Sequence, residues 1–78
     1  MKYYFDARAE NGVIEYADVG FPFSDDIAAL SWAASEARAI GFELQPGEPG
    51  ESIAALLVMD ETGRFLAEIS VHTARLLM

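Results

Sequence analysis

The residues of this chain that could do chemistry are one imidazole, scattered hydroxyls and neighbouring carboxylates, and each has a plainer role open to it. The single histidine, His72, stands near the end of a C-terminal strand beside Ser70 on the outward phase. Nucleophilic catalysis needs a Ser or Thr next to a base held by a third group, and His72 has no such context. It reads as a surface or interface histidine, with a pH-sensitive contact as the alternative because imidazole titrates near neutrality. Ser31, Ser35, Ser52 and Ser70 read as helix-surface or strand-surface residues. Asp60-Glu61-Thr62-Gly63 begins like a calcium loop but lacks the third liganding side chain and the terminal glutamate, so it reads as a turn. Asp25-Asp26 stand where a helix begins, and helix amide dipoles favour negative charge there. Gly47-Glu48-Pro49-Gly50 makes a poor phosphate cradle, since the glutamate repels the ligand and Pro49 removes an amide donor. These readings assign no catalytic residue, no cofactor and no metal site, and the expectation is a protein that is not an enzyme.

What must position any site is small. The chain has 78 residues, with 5 Lys and Arg against 13 Asp and Glu for a formal net charge of −8. That length leaves room for one domain, residues 1–78, and the 53% hydrophobic content argues for a packed core rather than disorder. No cysteine is present to staple it. A domain of this size hides only about 60–65% of its unfolded surface, so stability borrowed from a partner subunit is a live expectation. Charges at Lys2 and Asp6 interrupt any apolar signal region, and the longest apolar run, Ile53–Met59, is far short of the roughly 20 residues that span a bilayer. A soluble, cytoplasmic protein with no membrane partner is expected. The few basic residues, Lys2, Arg8, Arg38, Arg64 and Arg75, are dispersed, which argues against direct nucleic-acid binding.

Lys2–Arg8 alternates with Tyr3, Phe5 and Ala7 on one side, as a half-buried strand does. Asn11-Gly12 supplies a hairpin turn, and Val13–Asp18 reads as the second strand, ended by Gly20-Phe21-Pro22-Phe23. Ser24 or Asp25 caps a helix over Asp26–Ile40, with Ile27, Leu30, Ala33, Ala34, Ala37 and Ile40 as its buried stripe and Gly41 as its stop. Residues Phe42–Ser52, rich in Pro and Gly, read as an exposed loop. Ile53–Met59 is apolar throughout and suits a strand covered on both faces; a turn over Asp60–Arg64 leads to a strand over Phe65–Val71, with Phe65, Ala67, Ile69 and Val71 inward. The fold class is therefore α+β: a ββαββ unit with a four-stranded, mainly antiparallel sheet and one helix on one face.

Two apolar features exceed what this layout buries. Trp32 falls about 150° from the centre of the helix stripe. Two readings stand: a partner anchor, or a ring packed beneath Phe42–Leu44. The sheet phase opposite the helix is assigned Tyr4, Leu56, Val58 and Leu66, and the tail over residues 72–78 ends in Leu76-Leu77-Met78. Something must cover that face. Either the tail folds back or a second subunit packs there, and the subunit is preferred because the tail is small for the area. Trp32, Tyr4, Leu56, Val58, Leu66, Leu76, Leu77 and Met78 are the candidate interface.

The aromatic opening strand Lys2-Tyr3-Tyr4-Phe5-Asp6, the glycine turn, the acidic second strand ending at Gly20, the Asp-started Ala-rich helix and the closing hairpin on Asp60-Glu61-Thr62-Gly63-Arg64 resemble, over nearly the whole chain, a family of small bacterial domains of unknown function. That resemblance implies the fold and no catalytic residue. Met1 to about Ile40 also resembles the HicB-type antitoxin domain, which would imply an acidic protein neutralising a small basic RNase. Three functions follow as expectations. The first is a noncatalytic protein-interaction module, a homodimer. The second is an acidic inhibitor of a basic protein partner, recognised by steep salt dependence. The third is a small-molecule binder or enzyme using Tyr3, Tyr4, Phe21 and Phe23, which would require a pocket with convergent polar groups.

Overall fold

The computed structural model describes residues 1–43 and 53–72, with the side chains of 42 and 43 outside the description. The alternating N-terminal run forms β1 (Lys2–Ala9), a central strand. On one side it pairs antiparallel with β4 (Ile53–Asp60), which in turn pairs antiparallel with β5 (Phe65–Ser70). On its other side β1 carries two short strands, β2 (Ile14–Glu15) beside Ala7 and Arg8, and β3 (Phe21–Pro22) beside Lys2 and Tyr3. The order across the sheet is β2-β1-β4-β5, with β3 sharing the β2 edge. One helix, α1 (Asp26–Glu43), lies over β4 and β5, so the fold is α+β in a roughly ββαββ layout.

Both tight hairpin turns use the same geometry. Ala9 N–H donates to Val13 O and Gly12 N–H to Ala9 O, as Asp60 N–H does to Arg64 O and Gly63 N–H to Asp60 O. Gly12 and Gly63 hold φ of 90° and 88°, a left-handed conformation that side-chain-bearing residues rarely adopt.

The second arm of the first hairpin departs from the single strand expected over Val13–Asp18. Its pairing offset against β1 changes by two residues between the β2 and β3 registers. The excess is taken up as a bend at Asp18-Val19. Beyond the bend the chain returns to β1, so Phe21-Pro22 extends the hairpin instead of ending it. Proline is tolerated here for a geometric reason. Phe23 N–H donates to Met1 O, which makes Lys2 opposite Pro22 a non-hydrogen-bonded pair on the sheet's outer edge, where a missing donor costs nothing.

The cap of α1 is Asp25, whose Oδ1 accepts the Ala28 N–H at 2.8 Å. Two details of the helix differ from the sequence pattern. It runs through Gly41 to Glu43, so Gly41 is a buried helical residue and Phe42-Glu43 belong to the helix. Its buried stripe is Ala29, Ala33, Ala37 and Gly41, flanked by half-buried Leu30 and Ile40, while Ala34 is exposed and Ile27 is 74% exposed. Alanine occurs on every side of this helix, so periodicity alone does not fix the buried face. Small side chains at four-residue spacing give the flattest strip, and that strip meets the sheet.

The phase of β4 is also the reverse of the expectation. Ala7 pairs with Leu56 and Phe5 with Val58, which places Leu56 and Val58 under the helix with Tyr3, Phe5 and Ala7. Leu56 forms a core cluster with Ala37 and Val71, joined by Ala7, Ile40, Ile53 and Ile69, and Val58 is fully buried. Leu57 and Met59 take the outer face instead, with Tyr4, Asp6 and Arg8. Ala55, on that outer face between Arg8 and Ser70, is fully buried, while Leu57 and Met59 are half-buried, so the outer face of β4 is covered only in part. Phe65, expected inward, is 57% exposed beside a register shift that leaves Leu66 without an opposite residue. Leu76, Leu77, Met78 and the segment 44–52 lie outside the described residues. Among the described residues no helix is long and apolar enough to cross a membrane.

This phase sets an expected outcome. Leu56→Gln strands an amide beneath the helix and lowers stability by roughly 3 kcal/mol or more. Leu57→Gln, half-open on the outer face, costs less than about half of that. Urea midpoints of the two variants rank them; the opposite ranking would place Leu57 in the core.

Candidate functional site

The carboxylates singled out in the sequence converge, but on structure rather than on a reacting atom. Asp60, 4% exposed at the end of β4, accepts hydrogen bonds at Oδ1 from the Thr62 N–H at 2.9 Å, the Thr62 hydroxyl and the Arg64 N–H at 3.1 Å, and at Oδ2 from Arg64 Nε at 3.0 Å. The guanidinium so oriented donates through Nη2 to Asp26 Oδ2 at 2.7 Å, and Asp26 Oδ1 accepts the Tyr3 hydroxyl at 2.7 Å. One relay thus joins the β4–β5 turn, the first turn of α1 and β1. Donors crowding Asp60, led by the Thr62 hydroxyl, hold its pKa down at about 2. The Asp26 carboxylate that accepts the Tyr3 hydroxyl keeps the phenol protonated and pushes its pKa up to about 12. Arg64 is likewise raised by its bonds to Asp60 and Asp26.

The surface that offers itself to a partner is aromatic. Where the bend at Asp18-Val19 leaves the middle of the β1 edge uncovered by a strand, Trp32 leans from the helix onto Phe5, ring centroids 4.8 Å apart. Phe21 and Phe23 close against the indole at 5.9 Å each, Phe21 nearly parallel to it at 29°. Phe23 also meets Tyr3 edge-on at 6.0 Å. Such ring pairs contribute about 0.5–1.5 kcal/mol each beyond the area they bury. The cluster is nonetheless open on its outer side, with Trp32 36% and Phe21 47% exposed.

The Trp32 indole packs on Phe5, Phe21 and Phe23 and keeps an exposed face, while the side chains over Phe42–Leu44 that one sequence reading places on it lie outside the described residues. Rotation of the buried stripe toward Ala29 carries Trp32 from the back of the helix to its flank. Of the other candidate interface residues, Leu56 and Val58 are withdrawn from any surface by the helix. Tyr4 is half-buried and lies across Gly20, where a Cβ would come within 2.9 Å of the Tyr4 ring. Leu66 is half-buried at the β5 bulge. Tyr3, Tyr4, Phe21 and Phe23 do not line one pocket, because Tyr3 and Tyr4 point to opposite faces of β1. His72 Nε2 lies 3.1 Å from Glu10 Oε1, on the exterior. Asp6 carried no signal in the sequence beyond its strand phase, yet it is 3% exposed and accepts the Ala17 N–H at 2.7 Å. Among the described residues no three His, Asp or Glu side chains are placed to hold a metal ion.

Comparison with known proteins places the chain by a family match. The model of a family described as a domain of unknown function (DUF6894) matches residues 2–72. No curated protein matches, and no solved structure matches. The likeness of the N-terminal half to HicB-type antitoxins therefore finds no support in these comparisons.

The relay makes stability pH-dependent at both extremes. Asp60, with its folded pKa depressed from 3.8 to about 2, contributes stability that is complete above the unfolded value and is lost as pH falls through 2. Tyr3, raised from 10.0 to about 12, contributes stability that is complete below 10 and is lost as pH rises through 12. Urea midpoints measured across pH are expected to fall on both arms, and Tyr3→Phe is expected to flatten the alkaline one. An alkaline arm unchanged in Tyr3→Phe would place its origin elsewhere.

Proposed function

The chain belongs to the DUF6894 family, and from that premise we propose that it is a noncatalytic, cytoplasmic protein-interaction module that self-associates through the aromatic shoulder of Phe21 and Trp32. One observation carries this reading: two large rings stacked on each other are left partly in water on a chain whose other large rings at that place are packed. Exposed Trp and Phe on a rigid base are the residue types that dominate interface energetics, because they bury much area with few rotamers to fix. The carboxylates singled out in the sequence are engaged in structure, Asp25 in capping and Asp26 and Asp60 in the Arg64 relay.

The net charge of −8 favours a second reading, an acidic inhibitor that docks a basic protein by the same shoulder. The two differ in the sign of their salt dependence. Copies carrying like charge repel, so self-association strengthens as salt screens them, whereas a complex with a basic partner weakens.

Sedimentation equilibrium at micromolar concentration, at low and at physiological salt, tests the proposal. The expected result is a dimer that tightens with salt and dissociates in Phe21→Gln, a half-exposed position whose loss spares the Phe5–Trp32 contact. A monomer at both salt concentrations would overturn self-association. A salt-sensitive complex with a basic protein captured from the native cell would then transfer the shoulder to the second reading.

A further inference from the structure

The outer face of the sheet, across β1 from the aromatic shoulder, contains a pocket of about 280 Å³ lined by Tyr4, Asp6, Tyr16, Ala17, Met59 and Glu61 among others. It lies between β1, the bent second arm and the β4–β5 turn. We propose that this pocket binds an organic cation, an alkylammonium or guanidinium group, with Asp6 as its counter-ion.

Asp6 is the reason. Its carboxylate is almost wholly withdrawn from water at 3% exposure, yet among the described residues it takes a single hydrogen bond, from Ala17 N–H to Oδ1, and no ion pair. An ionised carboxylate in such a position is costly unless something compensates it. No fully enclosed side-chain oxygen or nitrogen among the described residues lacks a hydrogen-bond partner, so Oδ2 keeps the small accessible surface left to Asp6, a residue of the pocket lining. The chain's own arginines nearby are paired with other carboxylates. Arg8, on the same phase, pairs with Glu68 at 3.0 Å, and Arg64 with Asp26 and with Asp60, which also lines the pocket. Lys2 is exposed and is not part of the lining.

The remaining walls suit the same guest. Tyr4 and Tyr16 offer aromatic faces, on which ammonium and guanidinium groups gain cation–π attraction. Met59 adds an apolar, adaptable wall for an alkyl stem, and two further carboxylates line the pocket, Asp60, bonded to its own turn, and Glu61, whose Oε1 accepts the Lys2 N–H at 2.7 Å. The volume lies just below the usual range for ligand pockets, so it fits a side-chain-sized cation rather than a cofactor. A net charge of −8 enriches cations around the whole molecule. The guest has two sources, a free small amine or guanidine, or a Lys or Arg side chain of a protein partner. The site is separate from the aromatic shoulder and does not depend on its role.

Titration of the isotope-labelled chain by NMR tests this, with n-butylammonium and ethylguanidinium chlorides, an acetylated Lys-containing peptide and n-butanol as the uncharged control. The expected result is saturable shifts at Tyr4, Asp6, Ala17 and Met59 with a Kd on the order of millimolar for at least one cation, and none with butanol. Asp6→Asn, which keeps an acceptor for the Ala17 amide while removing the charge, is expected to weaken binding at least about tenfold. Tyr16→Ala, at a side chain 70% exposed, is expected to weaken it with the fold intact. Tighter binding of the free cations points to a small-molecule guest, and tighter binding of the peptide to a partner's side chain; either supports the site. Absence of saturable shifts with all three probes, or equal binding by Asp6→Asn, would overturn it.

Discussion

The carboxylate of Asp60 is the contact on which the geometry of this small fold depends. It is buried at a strand end, where an uncompensated charge would be costly, and four donors from the following turn compensate it. Satisfying it ties down the turn, and the bond from Arg64 Nε to Asp60 Oδ2 gives the guanidinium its direction. That direction meets Asp26 at the start of the helix, and Asp26 in turn holds the Tyr3 hydroxyl beneath it. Arg64 is 59% exposed, so its ion pairs contribute little as Coulomb energy. Their effect is positional: they set where the first turn of α1 sits against β1 and β4, with no disulfide to do so.

From that anchor the rest of the surface follows. With the helix held over β4 and β5, its flat strip of Ala29, Ala33, Ala37 and Gly41 packs on the sheet, and Trp32 falls beside β1. The bend at Asp18-Val19 interrupts the edge strand at that place. One departure from regular pairing therefore has two results. On the helix side it leaves room for Phe21 and Phe23 to join Phe5 and Trp32; on the other it brings Ala17 over Asp6 and sets Tyr16 beside a pocket.

Local signals were legible in the sequence where one residue type has one reason to be present. Gly12 and Gly63 mark turns because φ is positive there, Asp25 marks a cap, and the alternation of Lys2–Arg8 assigns Tyr3, Phe5 and Ala7 to one face. Faces were illegible where composition is uniform. A helix with alanine on every side has no unique buried stripe, and Ile53–Met59, apolar at each position, contains no alternation from which a phase can be read. Long-range pairing decides both, through Ala7 opposite Leu56. Of the candidate site, Trp32 was visible as a tryptophan out of place, but its ring partners come from two segments distant from it in the chain, Phe5 in β1 and Phe21 and Phe23 at β3. The burial of Asp6 and Asp60 depends on neighbours distant in the chain, which no local pattern encodes.

Tyr3 and Arg64 act on one another through Asp26, although they share no direct hydrogen bond. A double-mutant cycle of Tyr3→Phe and Arg64→Gln, read by urea unfolding, measures that coupling. The predicted result is an interaction energy of about 0.5 kcal/mol or more between the two sites. Additivity within about 0.3 kcal/mol would rule the coupling out, since each side chain would then be stabilising its own element alone.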